Sequence, residues 1–130
     1  MPTLKIRYML IIASYCAAIF WLSHQSDPPI PQKEAFSFPG ADKLAHTILY
    51  AGLALVVSVG LYRSNEALTP RTQWFAPVIF AILYGLSDEI HQLYVPQREF
   101  EWLDLLADGA GATIAQYGLY IRWLRSGKDQ

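Results

Sequence analysis

Charged residues are scarce in this sequence: they make up 16% of its 130 residues, while hydrophobic residues make up 53%. An ordinary soluble domain carries roughly 25% charged residues, so a water-facing exterior is hard to build from this inventory. The net charge is -1 and no run of basic residues is present. That removes the positive field needed for non-specific nucleic-acid binding and excludes nucleic acid as a partner. One cysteine, Cys16, excludes an intramolecular disulfide and a cysteine-rich metal centre. It lies in an apolar run and is expected to pack. No internal repeat or low-complexity tract is present, and the length suits one core, so residues 1–130 are read as a single domain.

What the sequence does have is long apolar segments. Tyr8 to Ser26 and Leu44 to Tyr62 contain no Asp, Glu, Lys or Arg, and each is near the roughly 20 residues a helix needs to cross hydrocarbon. A third run, Thr72 to Ser87, reaches that length only by continuing through Asp88-Glu89-Ile90-His91-Gln92 to Val95, where Pro96 would end it. The fourth, Leu103 to Leu124, carries Asp104 and Asp108 in its first two turns. These segments predict an all-α integral membrane bundle of about four transmembrane helices, over about 6–24, 43–62, 73–95 and 102–124. The basic start (Lys5, Arg7) before the first run also describes a signal peptide, but Ser23-His24-Gln25-Ser26 lacks a small-x-small cleavage site and Tyr15 before Cys16 does not suit lipoprotein processing. A retained helix is expected.

Between the spans, Gln25 to Ala41 holds Pro28, Pro29, Pro31, Pro39 and Gly40 and reads as an extended loop. Arg63 to Arg71, with Ser64, Asn65 and Pro70, reads as a short polar turn. Pro96 to Glu101 is a tight connection that makes the third and fourth helices antiparallel neighbours. Four spans put both termini on one side, with Lys5, Arg7, Arg63, Arg71, Arg122, Arg125 and Lys128 there and only Lys33, Lys43 and Arg98 on the other. The positive-inside rule then places both termini in the cytoplasm. Trp21, Trp74, Trp102 and Trp123 fall near the span ends, as interfacial aromatics do.

On that topology the polar residues of the spans sort to one side: the end of the first helix, the start of the second, the end of the third and the start of the fourth, all outward. Asp42, His46 and Tyr50 form an i, i+4, i+8 stripe on the second helix, with Lys43 beside them. Asp42 also suits an N-cap after Pro39-Gly40-Ala41. On the third helix, Tyr84, Ser87, Asp88 and His91 share a face with Gln92 adjacent, while Glu89 points about a quarter turn away, toward headgroups or another helix. Asp88 and Glu89 sit near a helix C-terminus, where the helix dipole opposes an acid, so another group must hold them. Asp104 suits the dipole of the fourth helix, whereas Asp108 lies about six residues in from Trp102, roughly 9 Å at helical rise, and must face the bundle. Ala107, Gly109, Gly111, Ala112 and Ala115 offer a close-approach surface to a neighbouring helix. Arg98 suits either a pair with Glu99, Glu101 or a cluster acid, or two-point binding of a phosphate or carboxylate.

Asp42-x-x-x-His46 and Asp88-x-x-His91 are also spacings that put two metal ligands on one side of a helix. His46, Asp88 and His91 are therefore the candidates both for a metal and for acid/base catalysis, beside a self-satisfied hydrogen-bond network. No cofactor is identified.

Together, Asp42-Lys43-x-x-His46-x-x-x-Tyr50, Ser87-Asp88-Glu89-x-His91-Gln92, Pro96-x-Arg98 and Trp102-x-Asp104-x-x-x-Asp108-x-x-Gly111 resemble the VanZ-like family, over roughly Ser23 to Gly111. The resemblance implies a small multi-pass protein of the bacterial cytoplasmic membrane. The namesake of that family is associated with low-level resistance to teicoplanin, a glycopeptide that targets cell-wall precursors. At Asp108 the sequence departs from the family's pattern, in which many members carry Asn. Three functions follow as expectations. The first is binding or modification of an anionic lipid headgroup or lipid-linked wall precursor. The second is a metal-assisted or acid/base hydrolase or transferase on an outer-leaflet substrate, and the third is a structural partner in a membrane complex.

Overall fold

The computed structural model describes residues 4–24, 40–64 and 68–127. Residues 25–39, with Lys33 and most of the expected extended loop, residues 65–67, with Asn65 of the expected polar turn, and Lys128 lie outside the described residues. Four helices run in sequence: α1 Ile6–His24, α2 Ala41–Ser64, α3 Pro70–Gln92 and α4 Trp102–Gly127. No strand occurs among the described residues. α1 and α2 are long and apolar enough to cross a membrane. α2 is the centre of the bundle: it packs against the other three helices, most extensively against α4, while α1 touches α2 and α3.

The helix ends differ from the sequence reading for local reasons. α3 starts at Pro70, inside the stretch expected as a turn, because Thr69 is an extended N-cap whose hydroxyl accepts from the Thr72 N–H at 3.2 Å, and proline suits the first helical position. It ends at Gln92 and not at Val95. Pro96 disfavours helical backbone in the residue before it, and the N–H groups of Leu93, Tyr94 and Val95 bond instead to the carbonyls three residues back. The chain then reverses in a turn over 95–98: Pro96 precedes Gln97 at φ 66°, and the Arg98 N–H donates to the Val95 carbonyl at 3.2 Å. This is the type II pattern, with glutamine where glycine is usual.

Polar side chains are buried and large apolar ones exposed to an extent unlike a soluble bundle. Ser23, Ser58, Asp88, Glu89, Gln92, Asp104, Asp108 and Gln116 are buried, whereas Phe75, Ile79, Leu83, Leu106, Ile114 and Trp123 are exposed. Ile12, Ile19, Tyr50, Leu53, Ala54 and Val57 form the apolar centre between α1 and α2. α1 is also tied by hydroxyls: Tyr15 donates to the Leu49 carbonyl at 2.7 Å, and Tyr84 to the Cys16 carbonyl at 2.6 Å. Lys5 Nζ donates to the Arg63 carbonyl at 2.9 Å, linking the start of α1 to the end of α2.

Buried Pro77 interrupts α3 without breaking it. Proline has no N–H, so the Gln73 carbonyl four residues earlier loses its helical donor. Gln116 of α4, only 2% exposed, supplies a replacement: its Nε2 lies 3.5 Å from the Gln73 carbonyl and 3.3 Å from that of Trp74. The Gln73 side chain then donates to the Ser58 carbonyl at 2.9 Å, so α2, α3 and α4 are joined around the proline. Gln116→Leu is expected to cost about 1–3 kcal/mol, the penalty for an orphaned buried carbonyl. Adding Pro77→Ala should return most of it by restoring the missing N–H. Denaturant titration of the single and double variants measures both effects; equal losses in the two would refute the assignment.

Candidate functional site

The C-terminal ends of α1 and α3 meet the N-terminal ends of α2 and α4, and the acids gather there. Gly40, at φ 87°, leads into α2 and its carbonyl accepts from the Leu44 N–H at 3.0 Å. Asp42 therefore falls inside the first turn and is not the cap. Its carboxylate is 2.6 Å from Lys43 Nζ, and Lys43 also reaches Asp104 Oδ1 at 2.8 Å and the Glu101 carboxylate. One ammonium thus gathers three acids from α2, the α3–α4 connection and α4. Only Asp104 among these acids is buried.

One turn deeper, His46 Nδ1 is 2.8 Å from Asp108 Oδ1 and its Nε2 is 3.6 Å from Asp104 Oδ2. The His46 ring stacks on Tyr50, with centroids 6.2 Å apart and planes 6° from parallel. Fully buried Tyr50 donates to Asp88 Oδ2 at 3.3 Å. Asp42 is thus linked to His46 through Lys43 and Asp104, and the His46 ring leads by stacking to Tyr50 in the interior.

The acids at the end of α3 are held as the opposed dipole demands. Asp88 takes the Tyr50 hydroxyl and that of Ser23. Glu89 is fully buried, and its Oε2 accepts the Glu101 N–H at 3.1 Å. Glu101 immediately precedes α4, so Glu89 escapes the unfavourable end of its own helix by sitting at the favourable end of the next. Of the two directions expected for Glu89, it takes the one toward another helix. Gln92 is buried and donates to Ser23 Oγ at 3.2 Å.

Ser87, His91 and Arg98 have other surroundings. Ser87 is exposed and donates to the Tyr84 carbonyl of its own helix at 2.7 Å. His91 is half-buried and pairs with His24, their ring nitrogens 3.2 Å apart, with Phe20 against the His91 ring. Arg98 is half-buried in the turn between α3 and α4. His46, Asp88 and His91 therefore do not converge as one ligand set among the described residues; His46 groups instead with Glu89 and Asp108. The sequence gives Ser23 and His24 no individual role in the site and offers Glu101 only as a partner for Arg98. Ser23 and His24 sit at the same helix end as the acids, and that placement was the available signal.

Two glycines admit this arrangement. A Cβ on Gly85 would lie 2.5 Å from Asp108 Oδ2, so the Asp108 carboxylate occupies the space a side chain would fill on α3. A Cβ on Gly111 would collide with the Thr47 carbonyl, which shows how closely α4 approaches α2. Of the small residues expected to form a close surface, Gly111 and fully buried Ala112 lie in the contact, whereas Gly109 faces Ile82 at ordinary distance.

The arrangement can orient an imidazole against a carboxylate, keep several acids out of water, and present Asp42, Lys43 and Glu101 at the rim. Nothing among curated proteins or solved structures matches the chain. The VanZ/LLP1 family model matches residues 5–124, which takes in α1 to α3, α4 up to residue 124 and every residue of the polar end described above, and the chain belongs to that family.

Proposed function

We propose that the chain is a single-domain, multi-pass protein of the bacterial cytoplasmic membrane, with all four helices crossing and both termini in the cytoplasm. Its outward-facing polar end binds or modifies the anionic headgroup of a lipid or a lipid-linked cell-wall precursor. The topology is supported by the exposed apolar side chains of α3 and α4, which offset the acids those helices carry inside. A link to glycopeptide resistance would run through such a precursor.

The observation that carries the reading is continuity. Side chains from α2, α3, α4 and the α3–α4 connection form one polar path, from Asp42 and Glu101 at the rim to Asp88 and Tyr50 inside. Buried acids at membrane depth are costly, and a network of this extent at one end of a bundle marks a ligand site by default. The His46–Asp108 pair favours catalysis as a second reading, since a carboxylate on Nδ1 fixes the tautomer and orientation of a general base. A structural partner role is the third, and it predicts losses of stability alone.

Binding of purified protein to vesicles containing phosphatidylglycerol or a polyprenyl phosphate tests the proposal. His46→Ala, with helicity retained, is expected to weaken binding at least about tenfold, or 1.4 kcal/mol. Equal binding by parent and variant, with only stability reduced, would overturn it in favour of the structural role.

A further inference from the structure

The polar end presents a charge problem to an anionic ligand. Asp42, Asp88, Glu89, Glu101, Asp104 and Asp108 are concentrated there, and carboxylates repel a phosphate. The acids also fall into two groups of different character. Asp42, Glu101 and Asp104 surround the Lys43 ammonium, which already supplies their cation. His46, Glu89 and Asp108 form a second group, deeper and without such a centre, in which one ligand atom from each lies within 4.8 Å of the others.

That second group contains unmet polar atoms. Glu89 and Asp108 are each 0% exposed, and Glu89 Oε1 and Asp108 Oδ2 have no hydrogen-bond partner among the described residues. Asp104 Oδ1 differs from these two, because Lys43 Nζ meets it at 2.8 Å and supplies its counter-charge. An orphaned buried carboxylate oxygen is expensive, and a cation shared by the two carboxylates and the imidazole grouped with them would offset that cost.

We propose that His46, Glu89 and Asp108 hold a divalent transition-metal ion, Zn2+ or Mn2+. One imidazole nitrogen and two carboxylate oxygens suit these ions better than Mg2+ or Ca2+, which prefer all-oxygen shells. Three ligand atoms each about 2.1 Å from one ion lie roughly 3–4 Å apart, within the span of this group. The two carboxylates balance the ion's charge while the imidazole is neutral. The ligands come from α2, α3 and α4, so the ion joins three helices. Outer contacts are also in place: the Glu101 N–H on Glu89 Oε2 fixes one carboxylate as metal sites require.

Three protein ligands leave a coordination position for a water or a phosphate oxygen. The ion would thereby turn an acidic end into a receptor for an anionic headgroup. That role rests on the function proposed above, whereas the ion site rests only on the three side chains.

The test uses full-length protein in detergent, stripped with EDTA and titrated calorimetrically with ZnCl2 and, separately, MnCl2. Binding of about one equivalent is expected for at least one ion. Glu89→Gln and Asp108→Asn, which keep side-chain shape, should weaken it at least about tenfold; Glu99→Gln, on the exposed connection, should not. Circular dichroism confirms that each variant remains helical. No binding by the folded parent, or equal affinity in all three variants, overturns the site. Vesicle binding is measured alongside, with and without EDTA. An ion bound without headgroup binding supports the site and removes the lipid function; headgroup binding by a protein that takes no ion does the reverse.

Discussion

Lys43→Met is expected to destabilise the protein by about 3 kcal/mol, the lower end of the cost of leaving a buried charge unpaired. The lower end applies because the Lys43 side chain is 28% exposed, while that of its partner Asp104 is 7% exposed. Removing the ammonium leaves three acids around one point: Asp42 and Glu101 can turn to water, but Asp104 cannot. Asp104→Asn in the same chain should therefore return at least half of the loss, whereas Asp42→Asn should return little. Denaturant titrations of the single and double variants measure the coupling. A Lys43→Met protein as stable as the parent, or equal rescue by Asp42→Asn and Asp104→Asn, would show that the ammonium is only a rim contact.

The polar end was legible in the sequence because its residues are anomalies. An acid such as Asp108 within an apolar run has no surface to occupy, and the acids and histidines of three helices fell on the same side once the spans were counted. Spacing alone also placed His46 and Tyr50 on one stripe, and they stack in the structure. What spacing cannot give is the neighbour. A helical wheel turns Glu89 away from Asp88, yet that direction leads to the Glu101 N–H at the start of α4 and into the buried site. For the same reason His91, on the face of Asp88, meets His24 of α1 and not His46.

The proline of α3 shows a different limit. Pro77 and Gln116 are far apart in sequence, and each looks unremarkable in an apolar run. Their relation appears only when α4 brings an amide to the carbonyl that Pro77 leaves without a donor. The start of α3 was open to sequence reading, since Thr69-Pro70 is an N-cap followed by proline at the first helical position.

Gly111→Ala is the smallest substitution expected to disable the polar end. The added Cβ would meet the backbone carbonyl of Thr47, which cannot rotate away as a side chain can, so α2 and α4 must separate. Such overpacking is expected to cost about 3 kcal/mol. Thr47 directly follows His46, and Asp108 lies one turn before Gly111, so separation at this point pulls apart the 2.8 Å His46–Asp108 contact. Two other glycines of α4 serve as internal controls. Gly109→Ala would place its Cβ 3.5 Å from the Ile82 side chain and should be nearly neutral. Gly118→Ala meets nothing within 4 Å and should gain about 0.5–1 kcal/mol from helix propensity. Denaturant titration of the three variants should rank them Gly118→Ala, Gly109→Ala, Gly111→Ala, with only the last losing vesicle binding. Three alanines of equal effect would mean that α2 and α4 do not meet at Thr47, and the site built on that contact would fall with it.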